Sequence, residues 1–469
     1  MRRPHDLTEG SISRGLLQFA LPTLFANVLQ SLNGSVNSIW VGHGLGEAAL
    51  TATVNANTVM FLLISAAFGV AMAATILVGQ YIGARDLHGA KRVVGASATF
   101  FAGVSVIMAI AGLVLTEPLL VALQTPSESL GFAESYMRVI FAGLPFLYIY
   151  PFVMGVLRGA GDAKTPLYFM LLSVGIDIVL NPLFIFGIGP FPHLGIAGSA
   201  FATVLGQAVS LCALIWYLYR SGNTLTLRRG ELQLLKPDWE IVRALIAKGI
   251  PMSAQMLVLS LSGMLMITLV NRFGVDTSAA YGASFQLWNY IMMPAMAVGM
   301  AVSSMAAQNV GARKWHRVNQ IAGVGVLYCM ILTGSVVLLL ELLDTHALGV
   351  FLPAGSEALR LASHMNRVVT WSFLFFGVSM TLFGVVRATG AVMAPLVTLI
   401  ISLLVVRFPL AELFLDRYHA DAIWWSFPIS SALSTVLAIL YYQYGGWRHA
   451  HMLSHPAGVG APEPAPTPE

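Results

Sequence analysis

The chain has 469 residues, of which 57% are hydrophobic and only 10% are charged, and its formal net charge is +4. Soluble domains carry about 25% charged residues, so this composition excludes an ordinary soluble protein and indicates a membrane protein. The basic residues fall in loops rather than on one clustered face, which argues against a nucleic-acid partner.

Apolar runs of about 20 residues, each long enough to cross a ~30 Å hydrocarbon layer as a helix, recur along the chain. The short alternating strands of a membrane β-barrel are not seen in the sequence, so we predict an all-α membrane protein. The twelve predicted spans are 14–40, 50–78, 93–115, 133–157, 165–187, 195–219, 243–271, 279–306, 317–341, 364–386, 393–415 and 422–444.

The distribution of Lys and Arg predicts the orientation, because cytoplasmic loops carry an excess of these residues. Most of the 25 basic residues fall on one side if both termini are cytoplasmic, and Arg407 is left near a helix interior. We therefore expect a multi-pass protein of a bacterial inner membrane with both termini in the cytoplasm.

The two halves of the sequence match each other. VGQYIGAR at 78–85 returns as AAQNVGAR at 306–313, and Pro22 and Pro251 occupy equivalent places at nearly the same separation. Matching segments that recur in the same order at a nearly constant separation indicate an internal duplication. Six spans per half give both halves one orientation, an arrangement common in secondary transporters, whose sites lie near the membrane midplane.

The predicted organisation follows from the repeat and from the breaks between spans. It consists of a cytoplasmic N-terminus at 1–13, a six-helix lobe at 14–219, a cytoplasmic linker at 220–242, a second six-helix lobe at 243–445 and a disordered cytoplasmic tail at 446–469.

Several motifs in order give the chain a family resemblance. They are ALP at 20–22, IWVG at 39–42, GQYIGA at 79–84 with its repeat, LRGAGD at 157–162 and NPLFIFG at 181–187. With this order and duplication the chain resembles the multidrug and toxic compound extrusion (MATE) family, bacterial DinF-like branch. The resemblance implies a V-shaped bundle of two lobes that exports bulky, often cationic and aromatic compounds in exchange for a cation. It implies no cofactor besides the coupling ion, H⁺ or Na⁺, and we expect a monomer.

Asp177 is the one acid that lies well inside a predicted span. Asn181 follows one helical turn later on the same face, and Asn33 and Asn37 lie at matching depths in the first span. If the first and fifth spans face each other, these four side chains form one polar cluster. The resemblance adds that the family usually has an Asp at the position of Asn37 and exchanges the order of Asp177 and Asn181.

A charged carboxylate at this depth is costly and is by default a functional candidate. We expect Asp177 to take up and release a proton, or to bind Na⁺ with the three amides as co-ligands, and so to bias a two-state helix arrangement. No metal other than this Na⁺ is expected. The alternative is an Asp that only fastens two helices together through its amide partners.

Other candidates have both functional and structural interpretations. Pro22 permits a kink in the first span, which is either static or, by the resemblance, a place where the helix bends. Tyr136, Thr203 and Gln207 resemble the family's cavity lining but are also suited to hydrogen bonds between helices.

In the second half, flexible thioethers suit a promiscuous cavity. The candidates are Met292 and Met296 with Asn289 in the eighth span and Gln255 in the seventh, although packing or lipid contact explains each equally simply. For Arg407 the sequence favours a structural anchor over a ligand contact, and Glu412, five residues on, is imperfectly spaced for a direct pair.

The sequence contains no GxxxxGK[ST] motif for ATP, so coupling to an ion gradient is the expected energy source. A membrane enzyme would need clustered catalytic His, Asp or Ser residues in the spans, and we predict that the chain is not an enzyme. Its expected partners are small organic molecules and the lipid bilayer. The alternative function is a lipid-linked saccharide flippase, whose cavity we would expect to be strongly basic.

Overall fold

The computed structural model describes residues 6–122 and 124–453, and within them every regular element is helical. Twelve helical segments of this part of the chain are long and apolar enough to cross a membrane. The predicted all-α fold with twelve spans is therefore confirmed. Residues 1–5 of the predicted N-terminus and the predicted tail from 454 onward lie outside the described residues.

The chain divides into two compact units, the first containing Phe25–Gly249 and the second containing Leu7–Leu24 and the chain from Ile250 onward. The helices before the linker are α1 (Ile12–Leu45), α2 (Glu47–Gly83), α3 (Leu87–Ala122), α4 (Ser127–Gly159), α5 (Lys164–Phe186) and α6 (Ile196–Arg220). The helices after it are α7 (Trp239–Val270), α8 (Val275–Gly311), α9 (Trp315–Leu342), α10 (Asp344–Gly349), α11 (Glu357–Val369), α12 (Ser372–Thr389), α13 (Met393–Leu399), α14 (Phe408–Tyr418) and α15 (Ala420–Tyr444).

The unit boundaries lie inside α1 and α7, whereas the predicted lobes 14–219 and 243–445 were separated at the linker. Each boundary is within a few residues of a proline, Pro22 in α1 and Pro251 in α7. Proline removes a helical hydrogen bond and permits bending at that point. The segment Leu7–Leu24 joins the second unit, where the Leu7 backbone N–H donates to Gln308 Oε1 at 2.9 Å and its carbonyl accepts from Asn309 Nδ2 at 3.1 Å.

Close contact between α5 and α6 depends on glycine. A Cβ built on Gly206 would lie 2.9 Å from the Ser173 carbonyl oxygen, and one on Gly198 would lie 2.6 Å from the Phe184 backbone. Small residues let helix backbones approach closely within membranes. This approach fixes α6 against the polar face of α5.

The linker is attached to the N-terminal part of α3. Lys91 Nζ lies 2.7 Å from both carboxylate oxygens of Glu231, Arg92 pairs with Asp238, and Thr99 Oγ1 donates to the Leu235 carbonyl at 2.6 Å. The Arg228 backbone N–H and the Lys91 ammonium hold the pKa of Glu231 below its ordinary value. The predicted linker is thus a docked segment with a 3₁₀ turn at Arg229–Leu235.

Gly95→Val is expected to release this docked linker, because its Cβ would lie 2.2 Å from the Leu234 carbonyl oxygen. Overpacking of this kind costs about 1–3 kcal/mol. Faster protease cleavage within 229–238 checks the prediction. Gly103→Val is the matched control, since a Cβ at that position of α3 meets nothing within 4 Å; equal cleavage of both variants would contradict the proposed contact.

Two features of the second unit differ from the predicted helix pattern. The predicted span at 364–386 is broken, with α11 ending at Val369 and the membrane-length segment beginning at Ser372. The eleventh span contains wide π-helical turns at Ile400–Arg407. Hydropathy does not distinguish such turns from an α-helix, because it reports composition and not hydrogen-bond pattern.

The predicted start of the disordered tail at 446 is wrong. Gly446–His449 forms a 3₁₀ turn in which Trp447 is only 1% exposed. Thr389 Oγ1 donates to the Trp447 carbonyl at 2.8 Å, and Trp447 Nε1 donates to the Tyr442 carbonyl at 2.7 Å. Burial of this indole ring explains why the chain stays folded beyond α15.

Candidate functional site

The first unit contains a buried polar cluster between α1, α5 and α6, which we call the Asp177 cluster. Asp177 and Asn181 lie one turn apart on α5 and are 2% and 0% exposed. Asn33 of α1 is 8% exposed, and Asn37 is partly buried one turn later. The structure brings together all four side chains that the sequence singled out.

The Asp177 carboxylate accepts hydrogen bonds from three side chains. Asn33 Nδ2 donates to Oδ2 at 2.7 Å, and Asn37 Nδ2 donates to the same oxygen at 3.0 Å. Thr203 Oγ1 of α6 donates to Oδ1 at 3.1 Å. The carboxylate therefore links three helices, and each link involves a neutral donor.

Asn181 forms a second layer of the cluster. Its Nδ2 donates to Asn37 Oδ1 at 2.8 Å and to Ser199 Oγ at 3.2 Å. Asn37 is thereby held on both sides, since its amide nitrogen donates to Asp177 while its oxygen accepts from Asn181. Such a connected network specifies one arrangement of the helices more strongly than isolated pairs do.

No Lys, Arg or His pairs with Asp177 in the part of the chain that the structure describes. Tyr136, also buried, interacts electrostatically with it and carries no formal charge. A carboxylate removed from water without a cationic partner is energetically costly. The cluster is thus a place where an added cation would be stabilised.

Three buried amide oxygens near these helices accept no hydrogen bond from the described residues: Asn33 Oδ1, Asn181 Oδ1 and Gln207 Oε1. Unsatisfied buried acceptors are uncommon and require an explanation. Carboxylate and amide oxygens are the ligands that hard cations prefer. The residues present therefore fit either a proton on Asp177 or a small cation held by oxygens.

Sequence reasoning assigned Thr203 to the cavity and overlooked Ser199, although both belong to the Asp177 cluster. The two hydroxyl residues lie one turn apart on α6, and Gly206 follows one turn after Thr203. That spacing was a usable signal, because polar residues and a small residue on one face mark a buried helix contact.

The candidates of the second half belong to the other unit and do not join this cluster. Gln255 is buried, accepts from Arg387 Nη1 at 3.0 Å and donates to the Val392 carbonyl at 3.4 Å, hydrogen bonds that agree with the structural alternative for this residue. Asn289, Met292 and Met296 are partly buried along one face of α8. Their lining of a cavity stays a prediction.

The model of the MatE family matches the chain twice, at residues 22–183 and 251–413. The chain belongs to the MatE family. The two matches begin at Pro22 and Pro251 and confirm the internal duplication. As a MatE transporter the chain is not an enzyme, which confirms that prediction.

Two relatives from Bacillus subtilis (strain 168) are similar to this MatE family member over nearly their whole length. The probable multidrug resistance protein YoeA is 35% identical over 436 residues, covering 92% of this chain and 94% of YoeA. The probable multidrug resistance protein YpnP is 31% identical over 447 residues, covering 95% and 98%.

A solved structure described as the outward-facing conformation of a multidrug resistance MATE family transporter of the MOP superfamily has the same fold. Its TM-score is 0.86 at 21% identity, and the match covers 94% of this chain and 98% of that chain.

Proposed function

We propose that this transporter exports organic, cationic or aromatic, compounds across a bacterial inner membrane by antiport with H⁺ or Na⁺, through alternating access. The observation that carries the proposal is the buried Asp177 carboxylate, which three neutral donors and, among the described residues, no basic group contact. The similarity to the probable multidrug resistance proteins YoeA and YpnP supports drug-like cargo. Cytoplasmic termini, a monomeric state and the DinF-like branch remain predictions.

Protonation would reverse the hydrogen-bond polarity of the cluster. The ionised carboxylate only accepts hydrogen bonds, whereas a carboxylic acid also donates one. The carboxylic acid O–H needs an acceptor, and the unsatisfied Asn33 Oδ1 provides one if the Asn33 side-chain amide flips. One of the bonds that join α1 to α5 would then change direction, which is a local change that biases a two-state helix arrangement.

Binding of Na⁺ would use the same groups in a different way. Asp177 would supply charge, and the amides of Asn33 and Asn181 would turn their unsatisfied oxygens toward the ion. The amide N–H groups that now donate to Asp177 would have to rotate away from the ion, because a cation repels hydrogen-bond donors. Both ions therefore require the Asn33 amide to reorient, but only Na⁺ requires several oxygens to converge.

Energised efflux distinguishes the two ions. Ethidium is added outside everted vesicles that contain the protein, so that export carries it into the lumen, and a pH jump or a Na⁺ jump is applied separately. We expect one jump to drive ethidium movement and the other to have no effect. Movement that neither jump drives, with the protein correctly inserted, would contradict the proposed antiport.

A further inference from the structure

Arg407 lies near the middle of the candidate span Met393–Tyr418 and ends the π-helical segment Ile400–Arg407. A charged side chain at membrane depth is rare, and such groups mark binding sites or ion pathways unless they are paired. π-Helical turns are also rare and occur frequently at functional sites. The surroundings of Arg407 therefore decide between a structural and a binding role.

The guanidinium contacts α15 inside the second unit. Its Nε donates to Ser430 Oγ at 2.8 Å, and its Nη2 donates to Ser431 Oγ at 3.4 Å. The guanidinium carbon lies 4.4 Å from the centroid of the Phe427 ring. Because Ser430 and Ser431 are buried, Arg407 points toward the bundle rather than away from it.

No carboxylate neutralises this cation in the described chain. The sequence suggested Glu412, but Glu412 Oε1 accepts from Arg272 Nη1 at 3.0 Å. Tyr281 interacts electrostatically with Arg407 without a formal charge. Glu412, the acid that follows Arg407 by five residues, is therefore paired elsewhere, and the positive charge of Arg407 is available to a ligand.

The remaining N–H groups of Arg407 suit one kind of ligand. A guanidinium has five donors in a planar fork that matches the two oxygens of a carboxylate or of another oxyanion. Serine hydroxyls occupy Nε and one donor of Nη2, and no acceptor among the described residues bonds Nη1. Partial burial strengthens a charge-assisted bond there compared with one in water.

We propose that Arg407 forms an oxyanion subsite, which binds the carboxylate of an exported aromatic compound while Phe427 contacts its apolar part. The proposal rests on the proposed export function and extends its substrates from cations to zwitterions and anions. A lipid phosphate has the same chemistry, but headgroups lie at the ends of a span, whereas Arg407 lies near the middle. The exported compound is thus the favoured source of the oxyanion.

Rhodamine 110 and rhodamine 123 provide a matched test, because the second is the methyl ester of the first and lacks the free carboxylate. Binding of each dye to the purified full-length protein in phosphatidylcholine vesicles is measured for native protein, Arg407→Gln and Arg407→Lys. We expect Arg407→Gln to weaken rhodamine 110 binding about tenfold and rhodamine 123 binding less than about twofold. Arg407→Lys keeps the charge without the fork, so its loss should be smaller and again confined to rhodamine 110.

The exposed Arg417→Gln is the control and should change neither dye. Three results would overturn the subsite. The first is equal weakening of the binding of both dyes in Arg407→Gln and Arg407→Lys, the second is no weakening in either variant, and the third is no binding of rhodamine 110 by the native protein.

Vesicles that contain phosphatidylglycerol test whether a lipid supplies the oxyanion. If that lipid lowers the affinity for rhodamine 110 in native protein but not in Arg407→Gln, the site binds the lipid and the proposal is wrong. Energised efflux of rhodamine 123 reports the export function separately, since this ester does not need the subsite.

Discussion

Asp177→Asn is expected to abolish ion-driven efflux, reducing it to the level of vesicles without the protein. The substitution keeps the size and shape of the side chain and one acceptor oxygen but replaces the other oxygen with an NH2 donor, and at 2% exposure the replaced group has little access to water. It removes the ability to gain and lose a charge. Coupling needs this change of charge where the helices meet. Ethidium transport driven by an imposed pH or Na⁺ gradient should therefore stop, while the protein remains inserted and folded.

Ethidium uptake into everted vesicles measures this export activity, and ethidium binding to the purified variant shows whether the cargo site is retained. Asp416→Asn is the matched control, because Asp416 is exposed at the end of α14 and the same chemical change there should leave efflux unaltered. Intact ion-driven efflux in Asp177→Asn would show that Asp177 only fastens helices together.

Gly206→Val is expected to disable transport by a different route, through separation of α6 from α5. The added Cβ would lie 2.9 Å from the Ser173 carbonyl oxygen and within 3.7 Å of Asp177 Cβ, and a backbone oxygen cannot move aside as a flexible side chain can. Overpacking costs about 1–3 kcal/mol of stability. The displacement of α6 also breaks the Thr203 to Asp177 hydrogen bond of 3.1 Å.

A lower Tm of the purified protein together with loss of ethidium efflux checks this prediction. Gly175→Val is the control on the neighbouring helix, where a Cβ meets nothing within 4 Å and Tm should change little. If Gly206→Val kept native Tm and efflux, the close helix approach would not be what positions Thr203.

The two functional proposals place opposite charges in different units. Asp177 is a buried anion in the first unit, and Arg407 is a partly buried cation in the second. Neither has a partner of opposite charge in the described chain. An unpaired charge at membrane depth is unfavourable in free energy. Proteins retain such groups where a mobile ion or ligand completes the pairing, and the proposed coupling ion and the proposed oxyanion are those partners.

The sequence by itself determined the twelve spans and the duplication, and it singled out Asp177 as a candidate. These follow from composition and order, because a membrane requires long apolar helices and makes a single buried acid conspicuous. Helical spacing also predicted that Asn33 and Asn37 lie level with Asp177 and Asn181. These inferences need only the local geometry of one helix at a time.

Only the tertiary structure decided which neighbours each polar group has. Thr203 and Ser199 belong to the Asp177 cluster because α6 lies close to α5. Glu412 pairs with Arg272 and not with Arg407. Pairing between distant helices is set by packing and by competition among partners, to which hydropathy and spacing are insensitive. For the same reason, only the tertiary structure shows the division inside α1, because it places Leu7 in contact with Gln308 and Asn309.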